Sequence, residues 1–232
     1  MWRIDKGAAL AVIITVALLS GSSAALRTGI ALADPDKLAW SIVATPAPGQ
    51  PNNIIVSPSE VNSIVIGTDG NTMYSLDIPN KRIFKSLDGG STWPVQQELG
   101  ARLTEAGAYL PAWNIAIAPD DPSFIVAVTD GNGAPNGPKE VFASNDGGTS
   151  WNRVMSGLVI SPGPPDEFIS SVDISVDYGG NRDIAIGTRT GTGNGKVWVA
   201  KIGVVVHTWK DQGITGDVVA MKFSPTYTSD LS

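Results

Sequence analysis

The stretch Ser86-Leu87-Asp88-Gly89-Gly90-Ser91-Thr92-Trp93 is the clearest guide to the fold of this chain of 232 residues. A second copy follows at Ser144-Asn145-Asp146-Gly147-Gly148-Thr149-Ser150-Trp151. Both copies read S-x-D-x-G-x-[ST]-W, and their Ser, Asp, Gly and Trp each recur 58 positions on. A fixed period of this size is typical of repeat proteins, in which each repeat is one supersecondary unit.

The chemistry of this phrase predicts a tight turn between two strands. Asp-Gly and Gly-Gly favour turns, because Gly accepts positive φ and the Asp carboxylate accepts backbone N–H groups. The closing Trp is large and apolar with one N–H donor, so it suits packing between sheets. We therefore expect a structural role for ten residues: Ser86, Asp88, Gly90, Thr92, Trp93, Ser144, Asp146, Gly148, Ser150 and Trp151.

A calcium loop is the functional alternative for these two turns. Such a loop needs the pattern D-x-[DN]-x-[DN]-G followed by a Glu ligand, and the phrase lacks it. We expect neither a metal ion nor any other cofactor in this chain.

The phrase resembles the Asp-box, or BNR repeat, of sialidase-like and sortilin-like β-propellers. The resemblance covers two full motifs and, more loosely, about three units of roughly 50 to 60 residues. It implies an all-β fold, a β-propeller of four-stranded antiparallel blades. Because the same box occurs in enzymes, receptors and assembly factors, it implies an architecture and no particular activity.

After residue 34 the chain reads as short β-branched segments bounded by turns, which predicts strands. The predicted first, innermost strands of successive blades are residues 53–58, 114–119, 172–177 and 219–225. The predicted second strands are residues 63–68, 124–129 and 183–188, and the predicted third strands are residues 82–86, 140–144 and 196–201. An outer strand is expected to begin at each repeated Trp, and residues 95–108 favour one short helix or an ordered loop.

The third unit and both ends of the chain indicate an incomplete propeller. Residues 203–209 lack the Asp-Gly turn, although Trp209 keeps the 58-residue spacing from Trp151. Residues 38–43 resemble an outer strand without the rest of its blade. Closed propellers usually have about 4–8 blades, so we expect residues 34–232 to be a fragment or an open arc. Open blade edges favour self-association, and assembly of several arcs into one ring is the alternative.

Residues 1–33 predict a secretory signal peptide, because a basic start and an apolar run precede the small-x-small site Ala31-Leu32-Ala33. Ser22-Ser23-Ala24 is an alternative cleavage site. An uncleaved membrane anchor is a further alternative, since the 19 residues 8–26 carry no charge. We therefore expect a secreted, cell-surface or periplasmic protein.

The composition narrows the classes of partner. A net charge of −6 disfavours nucleic acids and anionic membrane surfaces. The chain has no Cys, which excludes a disulfide framework and a thiolate metal site. We expect no membrane contact beyond the anchor alternative.

Two connections between an outer strand and the next first strand are where we expect a ligand site, because function concentrates on such loops. Their candidate ligand residues are Glu98, Glu105, Tyr109, Asp166 and Glu167. Loop acids that are simply solvated are the alternative. The one histidine, His207, lies in a Val-rich strand, and we expect no catalytic residue in the chain.

Two enzyme classes that carry Asp-boxes need residues that this chain does not match. Sialidases place three Arg on a substrate carboxylate, and none of the Arg here lies in the F/Y-R-I-P phrase of that family. Xyloglucanase-like propellers use two carboxylates across a cleft between two propellers, which needs a longer chain. We predict an exported, non-catalytic propeller that binds protein or glycan partners. Part of a sialidase-like or xyloglucanase-like glycoside hydrolase and a structural cell-surface array protein are the alternatives.

Overall fold

The computed structural model describes residues 60–94, 97–131, 138–154, 167–203, 208–224 and 226–230. These residues form three antiparallel sheets, each with its strands in chain order. The first sheet contains β1 (Val61–Ile66), β2 (Met73–Asp77) and β3 (Arg82–Ser86). The second contains β4 (Tyr109–Ile117), β5 (Ile125–Asp130), β6 (Pro138–Ser144) and β7 (Asn152–Arg153). The third contains β8 (Phe168–Ile174), β9 (Arg182–Arg189), β10 (Lys196–Ile202) and β11 (Trp209–Thr215). The described residues also contain two short helices, α1 (Gly100–Glu105) and α2 (Tyr227–Asp230).

The predicted all-β class is confirmed, and of the short helix or ordered loop predicted for residues 95–108 the structure has the helix, α1. The predicted third strands are confirmed as β3, β6 and β10, and the outer strand expected from Trp209 is confirmed as β11. Two of the sheets have the predicted four strands. The first strands β4 and β8 begin several residues before the predicted ones, which shortens the preceding connections.

The predicted strand order of the first unit is wrong. The prediction places residues 63–68 directly before the third strand, but β2 lies between β1 and β3 in the sheet. The strand β2 escapes prediction because polar residues interrupt its apolar pattern. Ser75 and Asp77 are nevertheless fully buried, and the Asp77 carboxylate accepts the backbone N–H of Asn80 at 3.2 Å. Residues 53–58, predicted as the first strand, lie outside the described residues, as do residues 38–43 and 1–33.

A fourth strand is absent from the first sheet as far as the structure describes it, which contradicts that part of the prediction. Trp93 begins no strand. Instead Glu98 forms a single β-bridge with Phe84, the Leu99 N–H donates to the Ile83 carbonyl at 2.8 Å, and the chain then enters α1. Among the described residues beyond the turn, Glu98 and Leu99 thus make the pairing with β3.

The fourth first strand predicted at residues 219–225 is also wrong, since residues 217–224 have no strand structure. Two of their backbone N–H groups pair with side chains of the third sheet. The Met221 N–H donates to Ser171 Oγ at 3.2 Å, and the Phe223 N–H donates to the Asp173 carboxylate at 2.7 Å. A backbone that bonds to side chains in this way cannot form a regular ladder.

The second sheet is the middle layer of the described structure. Ile125 and Ala127 of β5 belong to a buried cluster shared with the first sheet, whereas Val126 and Val128 belong to one shared with the third sheet. Successive side chains of a strand point to opposite faces, so β5 supplies both cores in alternation. Full burial of each of the Ile and Val side chains stabilises the fold by about 1.5–3 kcal/mol.

The first strands lie next to one another. Contacts join β1 to β4 and β4 to β8, and Asn114 of β4 donates from Nδ2 to the Ser170 carbonyl of β8 at 3.5 Å. The segment 218–223 continues this series, since it follows β8 in the same direction through Ser170, Ser171 and Asp173. Within the described ranges no helix is both long enough and apolar enough to cross a membrane.

Candidate binding site at the loop end of the sheets

Each sheet has two different ends. The box end holds the turn after the third strand; in the second sheet Ile117, Ile125 and Ser144 are aligned there. The loop end is where the first strand starts, and there Tyr109 and Asp130 are aligned. The two ends therefore differ in chemistry: one is built from repeated turns, the other from the connections between sheets.

The two box turns have the same hydrogen bonds. Ser86 Oγ donates to the Asp88 carboxylate at 2.7 Å, and the Gly90 N–H donates to Ser86 Oγ at 2.9 Å. Thr92 donates its N–H and its hydroxyl to the two oxygens of Asp88, at 2.8 and 2.6 Å. The Trp93 indole N–H donates to the Gly90 carbonyl at 3.0 Å. The side chains of Ser86, Asp88, Thr92 and Trp93 are thus each bonded within the turn.

The second turn repeats this pattern. Ser144 Oγ binds Asp146 at 2.8 Å and accepts the Gly148 N–H at 2.9 Å. Ser150 donates to both oxygens of Asp146, at 2.9 and 2.6 Å, so its hydroxyl replaces that of Thr. The Trp151 N–H donates to the Gly148 carbonyl at 3.1 Å.

These bonds favour the ionised carboxylates. The hydrogen bonds from the Thr92 side chain and N–H lower the pKa of Asp88. Burial raises the pKa of Asp146, but the bonds from Ser150 outweigh it, so the pKa lies below its usual value. A carboxylate that accepts several donors is held in its charged form.

The third repeated Trp makes a different contact. The Trp209 indole N–H donates to the Val154 carbonyl of the preceding sheet at 2.7 Å. Trp93 and Trp151 bind a Gly carbonyl in their own turns, whereas Trp209 joins two sheets. His207 lies outside the described residues.

The box ends of neighbouring sheets adjoin. The Tyr74 hydroxyl donates to the Pro122 carbonyl at 3.0 Å, and Lys85 Nζ donates to the Gly147 carbonyl at 3.1 Å. Burial lowers the pKa of Lys85. Between the second and third sheets, the Arg182 guanidinium forms an ion pair with Asp120. Tertiary contacts thus join the box ends of neighbouring sheets.

The described acids that the sequence suggested as ligand residues differ in their surroundings. Glu98 Oε1 accepts the N–H groups of Ile83 and Gly100, at 3.2 and 2.6 Å, so its carboxylate supports the start of α1. Glu167 is buried and accepts the Thr188 hydroxyl. Glu105 is exposed at the end of α1. Asp166 lies outside the described residues.

Tyr109 is different, since it starts β4 with 48% of its surface exposed. Its backbone partner across the ladder is Asp130. The Asp130 carboxylate accepts the indole N–H of Trp113 at 2.8 Å, and Trp113 is 41% exposed. Two large exposed aromatic side chains therefore come from positions that flank one carboxylate, and we call Tyr109, Trp113 and Asp130 the aromatic site.

The backbone of β4 explains how Trp113 reaches this position. The ladder pairs Ala112 with Thr129 and Asn114 with Val128, so Trp113 lies in a bulge between them. A bulge leaves one residue without a cross-strand partner and redirects its side chain. Sequence reasoning had pointed to Tyr109 but missed Trp113 and Asp130; a Trp beside a polar Asn at the start of a predicted strand is the only local signal.

A groove of about 470 Å³ lies beside the first strands. Its lining includes Ser63, Asn114, Ser170 and the exposed Val219. The segment 218–223 occupies one side of it. No group of three or more His, Asp or Glu side chains within the described ranges could hold a metal ion.

Comparison with known proteins identifies no family. No family model matches this chain, and no curated protein matches it. Among solved structures, the GH74 enzyme of Niastella koreensis matches with 15% identity and a TM-score of 0.27, over 65% of this chain and 30% of that one. The chain thus spans less than a third of that enzyme's length, and a TM-score this low identifies neither its fold nor its activity.

Proposed function

We propose that the chain is part of an exported β-propeller that binds protein or glycan partners and performs no catalysis. The radial arrangement is supported by three sheets stacked in chain order, with neighbouring first strands in contact. The segment 218–223 follows β8 as a further first strand would. Propellers place the first strands of their blades in this way around a central axis.

The proposed binding role is based on the aromatic site. Tyr109 and Trp113 expose 48% and 41% of their surface at the loop end. Aromatic side chains are enriched where proteins bind partners, because they combine a large apolar surface with a polar group. Loops and strand ends of a rigid scaffold are the usual place for such surfaces.

The carboxylates support the absence of catalysis. A glycosidase needs two carboxyl groups about 5–10 Å apart across the bond to be cleaved. Of the four candidate acids, Glu98 and Glu167 are bound to groups of their own sheets and neighbouring backbone. Carboxylates bonded in this way support the fold of their own sheets.

The test combines an assay for binding with one for turnover. The full chain, secreted from a host that removes its leader, is applied to arrays of extracellular proteins and glycans, and is incubated with sialosides and β-glucans. We expect saturable binding to at least one array member and no hydrolysis above that of a heat-denatured sample.

A matched pair of variants locates the binding surface. Tyr109→Ala removes an exposed aromatic side chain at the loop end, and Leu87→Ala removes an apolar side chain that is 56% exposed at the box end. We expect only Tyr109→Ala to weaken binding. Turnover of either substrate, or equal loss of binding in both variants, would contradict the proposal.

A further inference from the structure

We infer that the aromatic site is a platform for a neutral hexopyranose, with Trp113 as the stacking surface and Asp130 as the acceptor of sugar hydroxyls. The inference rests on the proposed binding function and names the ligand class for that site.

Trp113 differs from the other described tryptophans. Trp93, Trp151, Trp198 and Trp209 are all buried, with at most 7% of their surface exposed. A Trp side chain that leaves the interior gives up a large part of the 150–250 Å² that it would otherwise bury. The exposure at 41% is therefore a property of this position and not of the residue type.

Trp113 is also held in one orientation. Its indole N–H donates to Asp130 at 2.8 Å, and its backbone lies in a bulge of β4. The bond between residues 17 positions apart removes rotamer freedom before any ligand binds. A ligand that stacks on the ring then loses less entropy in binding, which is the advantage of a preorganised site.

The geometry of the hydrogen bond selects the ligand. An indole N–H lies in the plane of the ring, so the Asp130 carboxylate lies at the edge of the ring and both ring faces remain outside the bond. A pyranose that stacks on a face brings its apolar C–H groups to the electron-rich ring, and its hydroxyls point outward toward that edge. A cation held over the face would sit away from the carboxylate.

Asp130 further excludes anionic sugars. Among the described residues its carboxylate accepts only the Trp113 N–H, so lone pairs remain for hydroxyl donors. The chain carries a net charge of −6, and a carboxylate beside the stacking surface repels a sialic acid or a uronic acid. Tyr109, opposite Asp130 in the ladder, adds a second aromatic surface with a hydroxyl.

The test is isothermal titration of the full chain with separate probes: cellohexaose, mannohexaose, sialyllactose and choline chloride. We expect binding of at least one neutral hexasaccharide and none of sialyllactose or choline. Trp113→Ala should weaken hexasaccharide binding at least about tenfold, the loss expected for truncation of an aromatic anchor. Trp113→Phe, which keeps a ring, should retain part of the affinity.

The control is Leu87→Ala, which should bind like the wild-type chain, and thermal melting checks that each variant is folded. Three results would overturn the inference. They are hexasaccharide binding that persists in Trp113→Ala, choline binding that is lost in Trp113→Ala, and no binding of either hexasaccharide. If no hexasaccharide binds but a protein on the array binds through Tyr109, the proposed function stands and the platform fails. If a hexasaccharide binds through Trp113 and is hydrolysed, the sugar-binding role of the aromatic site is supported and the proposed non-catalytic function is wrong.

Discussion

Arg182 of the third sheet binds Asp120 of the second sheet through both Nη atoms, although the two residues are 62 positions apart. The guanidinium side chain is only 10% exposed and also donates to the Ser175 carbonyl at 3.3 Å. Burial raises the pKa of Asp120, but the bonds from Arg182 and from the Asp177 N–H outweigh it and lower the pKa. The pair thus connects the box ends of neighbouring sheets.

Replacement of Arg182 by Met is expected to lower the free energy of unfolding by about 1.5–3 kcal/mol, because hydrogen bonds to a charged group are lost. Urea titration of the full chain measures the change. The matched control is Lys196→Met, which breaks the more exposed pair with Asp211 at 3.1 Å and should cost at most about 1 kcal/mol. Equal losses of unfolding free energy in both variants would show that the Arg182–Asp120 pair contributes no more to stability than an exposed ion pair does.

The box carboxylates give a second prediction. Asp88→Ala and Asp146→Ala should each lower the free energy of unfolding by about 1–3 kcal/mol, since turn N–H groups lose their acceptor. Both side chains are near solvent, so water offsets part of the loss and values near the lower bound are expected. The variants should bind ligands as the wild-type chain does. Loss of binding in Asp146→Ala with unchanged urea denaturation would refute a purely structural role.

The same carboxylates predict acid sensitivity. Both have a lowered pKa in the folded chain. A carboxyl group whose pKa is lower in the folded chain than in the unfolded chain stabilises the fold at pH values above the unfolded pKa of about 3.9. That stabilisation is lost as the pH falls through the folded pKa. The urea concentration at the unfolding midpoint of the wild-type chain should therefore decrease as the pH is lowered below about 4. The midpoint of the double variant Asp88→Asn/Asp146→Asn should decrease less steeply. If the midpoints of the two proteins decrease in parallel with pH, the two carboxylates do not cause the acid sensitivity.

Gly148 tests the packing of the second box turn. Its φ is +89°, and an added Cβ would lie 2.5 Å from Leu99 Cδ1. Gly179 has φ +70° with open space around it, so Gly179→Ala measures backbone strain alone, about 1–2 kcal/mol. Gly148→Ala should lower the free energy of unfolding by about 1–3 kcal/mol more than Gly179→Ala does, because the added methyl group also crowds Leu99. Thermal melting compares the two, and equal losses would show that Leu99 moves aside.

The export signal gives a prediction at the N-terminus. N-terminal sequencing of the protein from its native source should begin at Asp34, or at Ala25 if the alternative site is used, because signal peptidase cleaves after small residues. Recovery of intact Met1 from a soluble cytoplasmic fraction would contradict export.

Sequence reasoning found the three third strands and one short helix, but it missed β2. The third strands were found because each leads into a repeated Trp or box phrase. The strand β2 was missed because Ser75 and Asp77 look like loop residues, and both are buried only because other parts of the structure cover them. Of the candidate ligand residues, only Tyr109 lies in the aromatic site.

The sequence by itself determined the turns, the positions of the strands that lead into them and the all-β class. Those features depend on interactions within about eight residues, such as positive φ at Gly and hydrogen bonds from a neighbouring Asp. Only the tertiary structure decided that Trp113 is exposed beside Asp130 and that Arg182 forms an ion pair with Asp120. It also decided that the carboxylates of Glu98 and Glu167 accept hydrogen bonds from the chain itself. Those contacts depend on bulges and on the stacking of sheets, which bring together residues that no local pattern relates.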